Sequence, residues 1–141
     1  MDPREKLYTD IKQAIEENVP IVAHVGLYNQ DVPYASEGVP FERPAVFIEF
    51  GEIQWAQFKA TEFGRSCEGS GDIRLHVVTD WNDEAYHLSF KLGEDIWNAL
   101  SDIFRCVDYQ VRYPYLTLTN HDHGELLENI DAFHVKYYKQ W

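Results

Sequence analysis

Residues 72–104, DIRLHVVTDWNDEAYHLSFKLGEDIWNALSDIF, constrain the fold more than any other stretch, because a period-two pattern gives way there to a helical one. Ile73, Leu75 and Val77 share one face of an extended segment while Arg74, His76 and Val78 share the other, which predicts a strand. Past a polar corner, Ala85, Leu88, Leu92, Ile96, Ala99, Leu100 and Ile103 recur at spacings of three and four. Glu84, Lys91, Glu94, Asp95 and Asp102 lie largely off that stripe, so the segment predicts an amphipathic helix with one buried side. Asp80, Asn82 or Asp83 can cap its free N–H groups, where negative charge also suits the helix dipole. A strand that turns into such a helix lays the helix across a sheet.

The remaining segments extend this plan. Leu7, Ile11, Ala14 and Ile15 predict a helix over about residues 4–18, with Pro3 in its first turn and Pro20 beyond its end. Residues 19–44 hold six Pro or Gly (Pro20, Gly26, Pro33, Gly38, Pro40 and Pro44), which predicts a long extended loop with a short strand at Ile21 to Val25. Val46 to Phe50 and Gln54 to Phe58 are β-rich. Glycines and serines mark 62–71 as a flexible loop or wide turn. Val111 to Thr119 and Ile130 to Tyr138 predict two late strands separated by a polar segment. The expected architecture is a single α+β domain over 1–141, a mainly antiparallel sheet with two helices packed on one side.

A chain of 141 residues can bury enough surface to fold without a disulfide or metal. Twelve basic against twenty-four acidic residues leave a net charge of 12 − 24 = −12, which repels phosphate backbones and disfavours a nonspecific nucleic-acid surface. Cys67 and Cys106 have no CxxC spacing, so free thiols in a reducing compartment are expected. No basic and apolar leader opens the sequence. The longest apolar stretch, Ile21 to Leu27, is far short of the ~20 residues that span a bilayer, so no membrane association is expected.

Catalytic patterns are weak throughout. His121, Asp122 and His123 place two imidazoles and a carboxylate within three residues and are the sharpest local candidate for a metal site, for zinc or another transition metal; the carboxylates Asp80, Asp83 and Glu84 are better explained by helix capping. A closed site needs ligands from elsewhere that the sequence does not mark, and a polar turn near Gly124 accounts for the same residues. His24, His76, His87 and His134 are scattered, and His76 and His134 fall in strands. The run GRSCEGSG lacks G-x-S-x-G, the Walker ending and a helix-opening GxGxxG, so neither a nucleophile elbow nor a phosphate loop is expected. No catalytic residue and no cofactor are assigned. Aromatics, in contrast, are abundant: four Trp, nine Tyr and eight Phe. Many fall in loops or at strand margins, among them Trp55, Tyr113 and Tyr115. Tyr28, Tyr34, Phe41, Phe63 and Trp141 are the expected contact residues for an oligomer or partner, because interfaces are enriched in aromatic side chains.

The order of elements resembles the tail terminator and tail-completion proteins of long-tailed bacteriophages. The resemblance lies in an N-terminal helix, the proline-bounded strand PAVFIEF (Pro44 to Phe50) and a glycine-containing loop. It continues through the strand GDIRLHVVTDW (Gly71 to Trp81), a long helix ending near Phe104, and late strands ending in ENIDAFHVKYY (Glu128 to Tyr138). It implies a non-enzymatic virion protein of the tail or neck, made in the host bacterial cytoplasm. Its partners would be copies of itself in a ring, commonly a hexamer, with the tail tube and head connector on either side. DNA would pass through without specific binding. The 28–41 excursion and the 120–128 segment depart from the family pattern. A small metal-dependent enzyme using His121 and His123, and a generic protein–protein adaptor, are the alternatives.

Overall fold

The computed structural model describes residues 2–28, 41–61, 64–80, 86–103, 105–123 and 126–140, with the side chains of 57–61, 86–87 and 121–123 outside that description. The first helix, α1 (Pro3–Asn18), starts where Asp2 accepts the Arg4 backbone N–H at 2.9 Å and Pro3 supplies the first turn. Leu7, Ile11, Ala14 and Ile15 are buried on one side of it. The strands are β1 (His24–Leu27), β2 (Ala45–Phe50), β3 (Gln54–Thr61) and β4 (Gly64–Asp80), followed after the second helix, α2 (Tyr86–Leu100), by β5 (Tyr109–His123) and β6 (Leu126–Gln140). A short 3-10 turn, Ser101–Ile103, ends α2.

These strands form one sheet in the order β1-β2-β4-β6-β5, with β3 added to the first half of β4. Only the β1–β2 pair is parallel; the other four pairings are antiparallel. This is an α+β fold with a mainly antiparallel sheet. Ile73, Leu75 and Val77 of β4, Val46 and Ile48 of β2, and Phe133, Val135 and Tyr137 of β6 turn one face of the sheet toward the helices. There they join Leu7, Ile11 and Ile15 of α1 and Leu92, Ile96, Ala99 and Leu100 of α2 in one core. Both helices therefore pack on the same side. Ser89 and Thr79 hydrogen-bond across the α2–β4 contact, and Trp97 donates its indole N–H to Asp131 at 3.2 Å while lying edge-on to Phe133.

Several segments differ from expectation. Within the expected 62–71 loop or wide turn, residues 64–71 are strand, paired with β3 on one side and, from Ser66, with β6 on the other, while residues 62 and 63 lie outside the described residues. Its glycines serve close packing instead. A Cβ at Gly69 would lie 2.8 Å from Ile53 Cγ2, and one at Gly71 would lie 2.9 Å from the Glu52 carbonyl oxygen. The early strand lies at His24–Leu27, and part of the 19–44 loop is thereby tied to β2. The polar separator is mostly ladder, since Asn120 pairs with Glu128 and His123 with Leu126. Hydrogen bonds compensate the buried polar groups there: Thr119 Oγ1 donates to Asn129 at 2.8 Å and Asn120 Nδ2 to Glu128 at 3.4 Å. Asp80 accepts from Arg43 Nε at 2.6 Å, while the other expected caps, Asn82 and Asp83, lie outside the described residues.

Candidate functional site

The sheet face away from the helices is covered at one end and bare at the other. At the covered end Ala45, Phe47, Val78 and Leu126 form a second small core, against which Tyr28 and Phe41 pack half-buried. Phe41 stands edge-on to Phe47, with ring centroids 5.1 Å apart. Tyr28 stacks on His76 at 4.1 Å, with 10° between the planes. His76 is 4% exposed and lies between two carboxylates, Nδ1 2.7 Å from Glu128 Oε2 and Nε2 3.0 Å from Glu49 Oε1. Both ring nitrogens face carboxylate oxygens, so the ring bridges β4 to Glu49 of β2 and Glu128 of β6. Burial, with the charges of Glu128 and Glu49, pushes the Tyr28 phenol above its ordinary value. The arrangement locks a ring over a buried polar cluster.

Toward the other end this face carries an exposed strip of β5 and β6. Tyr113 and Tyr115 flank His134: Tyr115 stacks on it at 4.1 Å, and Tyr113 meets it edge-on at 5.4 Å. Tyr113 is 61% exposed, Tyr115 41%, Leu116 44% and Leu118 49%, so the strip is apolar surface left to water. Tyr115 Oη donates to Asp72 at 2.6 Å, an interaction that raises the phenol's pKa. Beside the tyrosines, Ser70, Arg112, His134 and Lys136 line a shallow cleft of about 260 Å³. Lys136 donates to Ser70 Oγ at 2.9 Å and lies 3.5 Å from Glu68, whereas exposed Arg112 makes no ion pair among the described residues. Aromatic and aliphatic surface beside Arg is the composition of a protein interface.

Two register shifts build the strip. The β5–β6 pairing slips between Val111 and Pro114 and again between Pro114 and Leu116. Strict alternation would put Tyr113 and Tyr115 on the side of buried Val111; the bulges move them to the side of Leu116. Farther along, Thr117 Oγ1 donates to Asp131 at 2.7 Å on the helix side, so Leu116 and Leu118 face out. Thr117 is itself exposed, so both faces of β5 are open to water at this point.

Of the expected contact residues, Tyr28 and Phe41 are engaged in the chain's own second core. Tyr34, Phe63 and Trp141 lie outside the described residues. Tyr113 and Tyr115 stand where exposed contact aromatics were expected. Leu116, Leu118, Arg112 and Lys136, which share this face, were not singled out from the sequence; the Leu–Thr alternation of YLTLT is a signal for the two leucines, but its direction is open. His121, Asp122 and His123 end β5 with side chains outside the described set; among the described residues no group of three or more His, Cys, Asp or Glu could hold a metal ion. Both cysteines are free thiols. No described helix is long and apolar enough to cross a membrane.

No protein-family model and no curated protein matches this sequence. Among solved structures, a chain of the "Virion of native gene transfer agent (GTA) particle" is similar over 94% of this chain and 95% of its own, at 12% identity and a TM-score of 0.49.

Proposed function

We propose that this chain is a non-enzymatic structural subunit of a phage-type particle, a tail terminator or head–tail joining component that closes into a ring between tail tube and head connector. The observation that carries the reading is the bare face of the sheet. A rigid ladder, backed by helices on one side only, presents Tyr113, Tyr115, Leu116 and Leu118 to water with Arg112 beside them. Such a surface recognises protein rather than a small substrate. The assignment to tail terminators rests on the element order, which the fold preserves except that the glycine-containing loop is a paired strand. The charge of −12 supports it, because a ring through which DNA slides needs a lining that does not hold phosphate.

Native mass spectrometry and negative-stain microscopy of the purified protein, alone and with a tail-tube protein from the same genome, test the reading. A closed ring of identical subunits is the expected result. A chain that stays monomeric at high concentration and forms no ring when tail tube is added overturns it.

A further inference from the structure

Three strands of the sheet, β1, β3 and β5, have an outer edge that no strand covers among the described residues. A free edge offers a row of backbone N–H and C=O groups to any other strand, and soluble chains blunt it by shortness, charge, proline or a bulge. Two of the three are blunted in this way. β1 has four residues, and β3 carries Lys59 with a register shift beside it. β5 is blunted only in its first half, where Arg105 bridges to Gln110 and Pro114 stands between two register shifts. From Leu116 to Thr119 it runs in regular register with β6 and makes no other backbone hydrogen bond among the described residues. With Tyr115 before it, this stretch reads YLTLT, strand-forming side chains without a charge or a proline. Tyr115, Leu116, Thr117 and Leu118 are all exposed, so neither face of the sheet obstructs an approaching strand.

We infer that this segment pairs with the same segment of a second copy, as two antiparallel strands related by a two-fold axis at Thr117. The segment selects its own copy as occupant because no other open edge of the chain is as regular and uncharged, and an uncharged strand meets itself without repulsion. Identical edges that join about a two-fold axis run antiparallel, and an axis normal to the sheet keeps the helices of both copies on one side. With Thr117 on the axis, Leu116 of each copy faces Leu118 of the other, and the two Thr117 side chains face each other on the helix side. Moving the axis to Leu118 would set Leu116 against Asn120 and lose a leucine pair. The two sheets then become one, with both tyrosine strips on its bare face. This inference does not rest on the ring reading, since it is drawn from the edge of β5 and not from the face.

The test is cross-linking and self-association of the full chain. Thr117→Cys treated with a short thiol-reactive cross-linker is expected to give covalent dimers joined 117 to 117, as mapped by peptide mass spectrometry, because directly opposed side chains lie about 5 Å apart. Thr119→Cys, two positions off the axis, is expected to give no 119-to-119 link. In sedimentation equilibrium Thr117→Lys should weaken the pairing roughly tenfold, since like charges then meet on the axis, and mixing it with Thr117→Glu should restore it. Thr117 is exposed, and unfolding midpoints near wild type confirm that the variants are folded. These substitutions leave the bare face as it is, so rings formed through that face persist in Thr117→Lys and the two readings fail separately. Absence of a 117-to-117 link at every concentration overturns the inference, whether or not rings form. Linking at 119 as strong as at 117 overturns the register. Self-association of wild-type strength and stoichiometry in Thr117→Lys overturns the contact.

Discussion

Tyr109 and Tyr137 are directly opposed across the β5–β6 ladder, on the helix-facing side, and are 1% and 0% exposed. Their hydroxyls fare differently. Tyr109 Oη donates to Asp10 Oδ2 at 2.6 Å, tying β5 to α1 across 99 positions of chain. Tyr137 Oη is buried with no hydrogen-bond partner among the described residues. Removing the same oxygen atom from each should therefore have opposite effects. A hydrogen bond to a charged group contributes about 1.5–3 kcal/mol net, so Tyr109→Phe is expected to destabilise by that amount. An unsatisfied buried hydroxyl costs about 1–3 kcal/mol, so Tyr137→Phe is expected to be neutral or stabilising within that range. With an unfolding entropy of roughly 2.1 cal/mol/K per residue, each kcal/mol moves the midpoint by about 3 °C for a chain of this length, and Tyr109→Phe should lower Tm by about 5–10 °C. Urea titration and thermal unfolding, at a concentration where the chain is monomeric, measure both variants. Equal losses, or a larger loss in Tyr137→Phe, would refute the reasoning.

Two glycines supply a matched pair: Gly71→Ala is expected to destabilise by about 1–3 kcal/mol through overpacking against the Glu52 carbonyl, a backbone group with little room to move. Gly93→Ala on α2 meets nothing within 4 Å and should stabilise by roughly 0.5–1 kcal/mol, read in the same urea titration. Asp2→Ala should cost about 1 kcal/mol through loss of the α1 cap, measured by thermal unfolding. The Arg4 side chain holds the Asp2 carboxyl down from 3.8 to about 2, so its contribution is present above pH 3.8 and is lost as pH falls through about 2. The Tyr109 phenol is raised by burial and by Asp10, and that of Tyr137 chiefly by burial. A raised acid favours the folded state while protonated, so stability should hold up to about pH 10 and fall above it. Alkaline unfolding monitored by circular dichroism should show a shallower fall in Tyr109→Phe/Tyr137→Phe.

Local periodicity sufficed for the elements whose burial is one-sided. The stripes of α1 and α2, and the Ile73, Leu75, Val77 face of β4, follow from the geometry of a helix and a pleat, and these same side chains fill the core. The α+β class and the common side for both helices follow from those stripes, because each needs an apolar partner and the sheet supplies one. Glycine was ambiguous: in 62–71 it reads as freedom, whereas the fold uses Gly69 and Gly71 to admit Ile53, Trp55 and the Glu52 backbone against β4. Pairing partners decide between those meanings, and pairing is non-local.

The candidate interaction face depended still more on tertiary structure. That Tyr113 and Tyr115 are exposed aromatics was legible in the sequence, but their placement beside His134 and Leu116 arises from two bulges, and a one-residue slip reverses every side chain that follows. Leu116 and Leu118 face away from the helices because Thr117 and Thr119 pair with Asp131 and Asn129 directly opposite on β6. The sequence by itself determined the two helices, the one-sided strands with their buried stripes and the acidic balance of the whole chain, since those depend on nearest neighbours and on composition. Only the tertiary structure decided which face of the sheet stays bare and which charges border it, because register and long-range pairing bring Ser70 of β4, Arg112 of β5 and Lys136 of β6 together.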